Sequence, residues 1–236
     1  MSNNSFILAL ETVTDTGSVA LLDEDRVIRQ IELEAGLRHG TALMPAAREC
    51  LREANLRAQS LACVAVDIGP GSYTGTRISV MAAKALAFGA KIKLVGIPSL
   101  EALAYANQEI GKYLVTVLES RRDEVYVGVY EILGQGIVSQ VVQTRTACPE
   151  DAARFAKDEQ HVLVGKGVWL YADAMRMHKD PCAHMDETIQ APTAAAIGRL
   201  AWQRLRVGQS HDLYQLQPLY HGAGYARKPN PAKPDG

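Results

Sequence analysis

The chain has 236 residues, 47% hydrophobic and 22% charged, with a formal net charge of −1. That composition describes one large or two small globular domains with real cores, and the near-neutral charge argues against free-standing nucleic-acid binding by bulk electrostatics. No apolar run reaches membrane-spanning length and Met1 to Ser5 lack a charged-then-apolar leader pattern, so no membrane contact and a cytoplasmic location are expected.

Residues 6–10 and 18–22 are short apolar runs separated by Thr14-Asp15-Thr16-Gly17, a turn cluster, and the pair predicts a hairpin. A third strand is predicted over 27–33. Leu43, Met44, Ala47, Cys50, Leu51 and Ala54 then recur at helical spacing, with Thr41 as N-cap, Pro45 near the first turn and Asn55 at the C-terminal end. An apolar strand over 61–66 leads into Asp67-Ile68-Gly69-Pro70-Gly71-Ser72-Tyr73-Thr74-Gly75-Thr76-Arg77, and a helix is predicted over 78–87, closed by Gly89. A glycine-rich turn at a helix start is where α/β proteins place anions. This one fits neither common fingerprint. Its third glycine comes one residue late for dinucleotide binding, and Gly75-Thr76-Arg77 replaces the Gly-Lys-Ser/Thr of a Walker loop. A fifth strand over 91–96 and a helix over 100–106, capped by Ser99, follow.

The second half repeats the opening order. Strands are predicted over 113–118, 124–132 and 137–142, then a helix over 149–157, a strand over 161–164, and helices over 169–175 and 194–207. The shared β-β-β-α-β-α order predicts an α/β duplication: a lobe over 1–107, a second over 108–221, and a Gly-, Pro- and Lys-rich tail over 222–236. The four cysteines contain no C-x-x-C pair, and Cys50 and Cys63 sit in apolar periodic runs as reduced core residues. His178, Cys182 and His184 have metal-ligand types, but around Pro181 they read as a solvated loop, so no metal is expected. Ser72 is not in a G-x-S-x-G elbow. His39, alone before the first helix, reads as a residue of the helix entrance or of a protein contact.

The chain resembles the TsaB (YeaZ) family, the bacterial partners of the tRNA threonylcarbamoyl-transferase TsaD. The resemblance rests on Ile7-Leu8-Ala9-Leu10-Glu11-Thr12, His39, the segment Gly69 to Arg77, Pro98-Ser99-Leu100-Glu101-Ala102-Leu103, Arg121-Arg122-Asp123-Glu124-Val125-Tyr126 and Pro218-Leu219-Tyr220. It implies the actin-like, sugar-kinase-like (ASKHA) fold with two ribonuclease-H-like lobes. It also implies heterodimerisation with TsaD, binding of the ATPase TsaE, homodimers when alone, and contact with tRNA only through the complex. The chain departs from the family in having Glu11 where Asp is usual, Glu119-Ser120 for Asp-Ala, and Asp123 for Gly.

TsaD-like enzymes hold their metal with an H-x-x-x-H pair. The corresponding positions here are Ser99 and Leu103, so no catalytic residue and no metal are expected. The second long helix is apolar or small around much of its circumference and needs two neighbours. The expected partner surface comprises His39, Leu43, Met44, Ala47, Leu51, Tyr73, Arg77, Ile78, Met81, Ala82 and Ala85. The alternative is a small-molecule kinase or ATPase whose cleft is lined by Glu11, Gly69, Gly71, Gly75, Gly165 and Gly167. No cofactor is expected for this chain itself, with ATP and magnesium entering at the level of the complex. A third reading gives Arg199, Arg204, Arg206 and the Arg227-Lys228 tail a direct tRNA contact.

Overall fold

The computed structural model describes residues 5–34, 39–134, 136–186 and 191–220. The side chain of His39 and the tail, including Arg227 and Lys228, lie outside the described residues.

The first half opens on an antiparallel meander, β1 (Phe6–Glu11), β2 (Ser18–Asp23) and β3 (Arg26–Glu32). β4 (Cys63–Asp67) and β5 (Lys93–Ile97) then add parallel to β1, giving the order β3-β2-β1-β4-β5. The second half does the same with β6 (Tyr113–Glu119), β7 (Val125–Gly134), β8 (Ile137–Ala147), β9 (His161–Val164) and β10 (His184–Asp186). Its order, β8-β7-β6-β9-β10, repeats the first sheet strand for strand, so the duplication of element order is a duplication of topology.

Period-two alternation decides which helices cover which face. Leu8, Leu10, Val19 and Leu21 point to one side of the first sheet and pack under α1 (His39–Glu53) and α2 (Tyr73–Ala90). Ile7, Ala9, Ala20 and Leu22 point to the other side and meet Ala194, Ile197, Leu200 and Ala201 of α7 (Ala194–Arg206). In the second sheet, Val115, Val117, Val125 and Val127 pack under α4 (Pro149–Ala153), α5 (Lys166–Leu170) and α6 (Ala172–His178). Leu114 and Leu118 face α3 (Ser99–Ala106) through Leu100, Leu103 and Ala104. α3 also turns Ala102 and Tyr105 into the first core. The layers therefore run helices, sheet, helices, sheet, helices, with α3 and α7 shared in the middle. Although α7 follows the second sheet in the chain, it packs on the first. At Gly198 an added Cβ would lie 2.3 Å from Leu22 Cδ1, so any side chain there would have to displace Leu22 where α7 meets β2.

Arg204 ties the two middle helices. Its Nη2 donates to both Glu101 oxygens, at 2.8 and 2.7 Å, and its Nη1 donates to the Gly96 carbonyl. The tRNA reading offered Arg204 as a free cation. It is instead paired, with only 24% of its side chain exposed.

Several predicted boundaries move. α1 begins at His39, so Thr41 lies inside it rather than capping it, and Pro45 falls in the helix interior. α2 runs through Gly89 and ends at Lys91, which takes the left-handed conformation (φ 56°) and donates its N–H to the last-turn carbonyls. Ser99 is the first residue of α3, not its cap, because its hydroxyl goes to Asp67. β8 extends to Ala147, and the helix predicted over 169–175 is two short helices meeting at Tyr171.

Candidate functional site

Glu11 and Asp67 end neighbouring parallel strands, and both are fully buried. Glu11 Oε1 accepts the N–H groups of Val13 (2.6 Å) and Thr14 (3.1 Å), fixing the turn after β1. Asp67 Oδ1 accepts the Gly69 N–H (2.8 Å) and the Ser99 hydroxyl (2.5 Å), fixing the glycine loop and the start of α3. Burial pushes the Asp67 carboxyl up to about 7. Glu11 rises well above the ordinary carboxylate range, first through burial and then through the Asp67 charge beside it.

The glycine loop packs against the turn after β1. Ser72 N–H donates to the Val13 carbonyl (2.8 Å) and Thr12 Oγ1 to the Gly75 carbonyl (2.8 Å), while Ser72 Oγ caps α2 by accepting from Gly75 N–H (3.1 Å). A Cβ on Gly71 would lie 2.2 Å from Val13 Cγ1, and one on Gly75 only 1.8 Å from the Thr12 carbonyl oxygen. Gly69 (φ 95°) backs onto the Leu219 carbonyl, Gly165 (φ 107°) onto Val117 and Leu103, and Gly167 onto Val117. These close approaches within the chain account for every glycine of the proposed nucleotide cleft. At the expected mouth of that cleft, Lys166 of the second half ion-pairs with Asp15 of the first and lies 3.7 Å from Glu119.

α2 rises from this loop and presents one face outward. Tyr73, Arg77, Met81, Ala85 and Phe88 recur at helical spacing along it, and all are exposed, Met81 by 64% and Phe88 by 65%. On α1, Met44 is also exposed. Ile78, Ala82 and Leu51 are partly buried at the margin of the first core. Leu43 and Ala47 do not belong to the surface at all. They are 1% exposed, because they form the stripe with which α1 packs on the sheet.

Sequence reasoning missed the neighbour of this face. The stretch 211–220 runs beside α2. His211 bridges to Leu94 on the β5 edge, Leu216 is buried in the core, and Leu219 N–H donates to the Ile68 carbonyl (2.7 Å). Tyr220 then meets the head of α2. Arg77 Nε donates to its hydroxyl (3.0 Å), the guanidinium lies 3.9 Å from the Tyr73 ring centre, and the two rings are 5.4 Å apart. Tyr214, 78% exposed, extends the same face, with its carbonyl accepting from Lys84. Phe88 was findable, standing seven residues after Met81. Tyr214 and Tyr220 lie outside any periodic element and gave no such signal.

Ser99 and Leu103 are fully buried, with the Ser99 hydroxyl donating to Asp67 and Leu103 packed in a core. Among the described residues no group of three or more His, Cys, Asp or Glu could hold a metal ion, and His178, Cys182 and His184 form no such group. Cys50 and Cys63 are buried free thiols pushed up to about 11 and about 12 by that burial. No helix among the described residues is long and apolar enough to cross a membrane.

Residues 33–212 match the family described as "TsaD: tRNA N6-adenosine threonylcarbamoyltransferase". Among curated proteins the chain is 33% identical over 161 residues to the Bacillus subtilis "tRNA threonylcarbamoyladenosine biosynthesis protein TsaB", covering 68% of this chain and 70% of that one. It is 29% identical to the protein of the same name from Haemophilus influenzae, covering 92% and 93%. Among solved structures, "YeaZ from Pseudomonas aeruginosa" superposes with a TM-score of 0.79 at 29% identity, covering 92% of this chain and 99% of that one. The two-lobed actin-like fold is thus shared, and the sequence is that of a paralogue of the TsaD transferases. Fold, topology and sequence agree, and the chain belongs to the TsaB (YeaZ) family.

Proposed function

We propose that this chain is a non-catalytic subunit for forming threonylcarbamoyladenosine in tRNA, at the adenosine beside the anticodon. It docks onto a TsaD-type transferase and supports the transferase's active arrangement. The observation that carries the reading is the outward face of α2, where Tyr73, Met81, Ala85 and Phe88 stand exposed at helical spacing and the exposed Tyr214 is tied to Lys84 of the same helix. Contiguous apolar surface of this kind is a binding surface in a well-folded chain. A helix pair can supply much of the roughly 800 Å² per partner that a stable interface buries. Without the transferase the same face pairs two copies of the chain.

The chemistry of the interior supports the non-catalytic half of the reading. Where the transferases need two imidazoles, this chain has a hydroxyl tied to a carboxyl and a packed leucine. An ATPase of the TsaE type and tRNA join through the assembled complex, and no cofactor is bound by this chain alone.

The test is an omission experiment with purified components: TsaD, TsaE, the enzyme that makes threonylcarbamoyl-adenylate, ATP and tRNA. Modified adenosine should form with this chain present and fall by at least about tenfold without it, a loss of about 1.4 kcal/mol or more of barrier lowering. Incubated alone with tRNA, ATP and threonylcarbamoyl-adenylate, the chain should leave the tRNA unmodified. Undiminished modification without it contradicts the proposal, as does modification by the chain alone.

A further inference from the structure

The paired carboxyls under the glycine loop have an arrangement that docking does not explain. Glu11 and Asp67 each place one oxygen on loop donors, and the other oxygens, Glu11 Oε2 and Asp67 Oδ2, are buried and accept no hydrogen bond. Among the described residues neither carboxyl is in an ion pair. The other charges acting on Glu11 are acidic, Asp67 on β4 and Glu32 at the end of β3. The hydrogen-bond donors to the Asp67 carboxyl are the Gly69 N–H and the Ser99 hydroxyl. Lys166, the cation at the cleft mouth, is engaged by Asp15 and Glu119. Two ionised carboxylates here would be unsolvated, unpaired and mutually repelling, an arrangement that proteins avoid by retaining a proton.

We propose that Glu11 and Asp67, buried neighbours at the ends of paired strands, hold one proton between them rather than ionise together. This acid pair is the tie that positions three segments at once. Through Val13 and Thr14 it holds the turn after β1, through Gly69 the glycine loop, and through Ser99 the start of α3. The first turn of α2 is bonded to Thr12 and Val13, so the tie connects through that turn to the start of α2. Both groups are positioning residues.

The sign of the pH dependence follows. Both carboxyls are raised in the folded chain, Asp67 to about 7, whereas in the unfolded chain they lose their protons near 4. Between those limits the folded state holds more protons than the unfolded one, so the stability from the pair is full below about pH 4 and is lost as pH rises through 7.

The experiment compares the full chain with Asp67→Asn and Glu11→Gln by thermal unfolding from pH 6 to 8.5, and by infrared spectroscopy of the carboxyl C=O stretch. An amide at position 67 keeps an oxygen for Gly69 and Ser99 and carries no charge beside Glu11. The wild-type melting temperature should fall by roughly 5 °C across the interval, and Asp67→Asn should be flatter and at least as stable as wild type at pH 8.5. At pH 6 the wild type should show the band of a buried protonated carboxyl, weakening as pH rises to 8.5. A wild-type melting temperature that holds or rises, or the absence of that band at pH 6, overturns the proposal. If Asp67→Asn does not fold, Glu11→Gln and the wild-type infrared titration decide the matter by the same criteria.

Discussion

Replacing Met81 and Phe88 together by glutamate should abolish association with TsaD, weakening it by at least ~100-fold, while leaving the fold intact. Both side chains are about two-thirds exposed, at 64% and 65%, so the folded chain loses little by their removal. In the complex the two carboxylates would be desolvated against an apolar partner, and a buried unpaired charge costs several kcal/mol, or about a hundredfold or more in affinity. Co-purification and a binding titration read the loss, and circular dichroism with thermal unfolding reads the fold. Leu43→Glu is the contrasting variant. That side chain is 1% exposed in the first core, so a charge there should unfold the chain rather than act on binding. A double-glutamate variant that binds TsaD with unchanged affinity would place the interface elsewhere.

Gly75→Ala should destabilise the chain by about 3 kcal/mol or more, with a falling denaturant midpoint. An added Cβ would meet the Thr12 carbonyl oxygen at 1.8 Å and Ser72 Oγ at 3.2 Å, and neither the buried backbone nor the cap can yield alone. The first turn of α2 must lift away, loosening the Thr12–Gly75 and Ser72–Val13 hydrogen bonds and carrying Tyr73 and Arg77 with it. Gly89→Ala on the same helix has nothing within 4 Å of the new methyl. It should stabilise by about 0.5–1 kcal/mol through helix propensity alone. Measured side by side, the pair separates close packing of the loop from any general effect of glycine replacement. Equal, small changes at both positions would show that the loop does not depend on the bare α-carbon of Gly75.

The pattern of apolar runs carried most of the fold. The unbroken apolar run Ile7-Leu8-Ala9-Leu10 suits a strand covered on both faces, and the repeat of element order in the second half pointed to the second sheet. One element that escaped, β10, is three residues long, has a single apolar residue, Met185, and is held at a sheet edge by pairing with β9 alone. A segment so short has no periodicity to read. Lys91 escaped for another reason: a left-handed lysine at the end of α2 is set by tertiary context, while the local sequence favours Gly89.

The candidate site was legible in part. That α2 needs a second neighbour was legible because it is apolar or small around much of its circumference, but which side faces the sheet, that of Val80, Ala83 and Ala87, was not. Leu43 and Ala47 could not be told from surface residues, because one apolar stripe looks like another until the sheet is seen beneath it. The glycines invited a ligand, yet the space their missing side chains leave is filled by Thr12, Val13, Val117 and Leu219. Tyr214 and Tyr220 reach α2 only because the chain returns across the β5 edge, a contact between parts more than 120 residues apart that no local window contains.

The most direct measurement is hydrogen–deuterium exchange of this chain, free and with TsaD bound. The account predicts new protection concentrated in residues 73–90 and 213–220, with α1 around Met44 joining them and the cleft mouth at Asp15 and Lys166 little changed. Protection confined to the cleft mouth or to the β8 edge, with 73–90 exchanging as in the free chain, would contradict it.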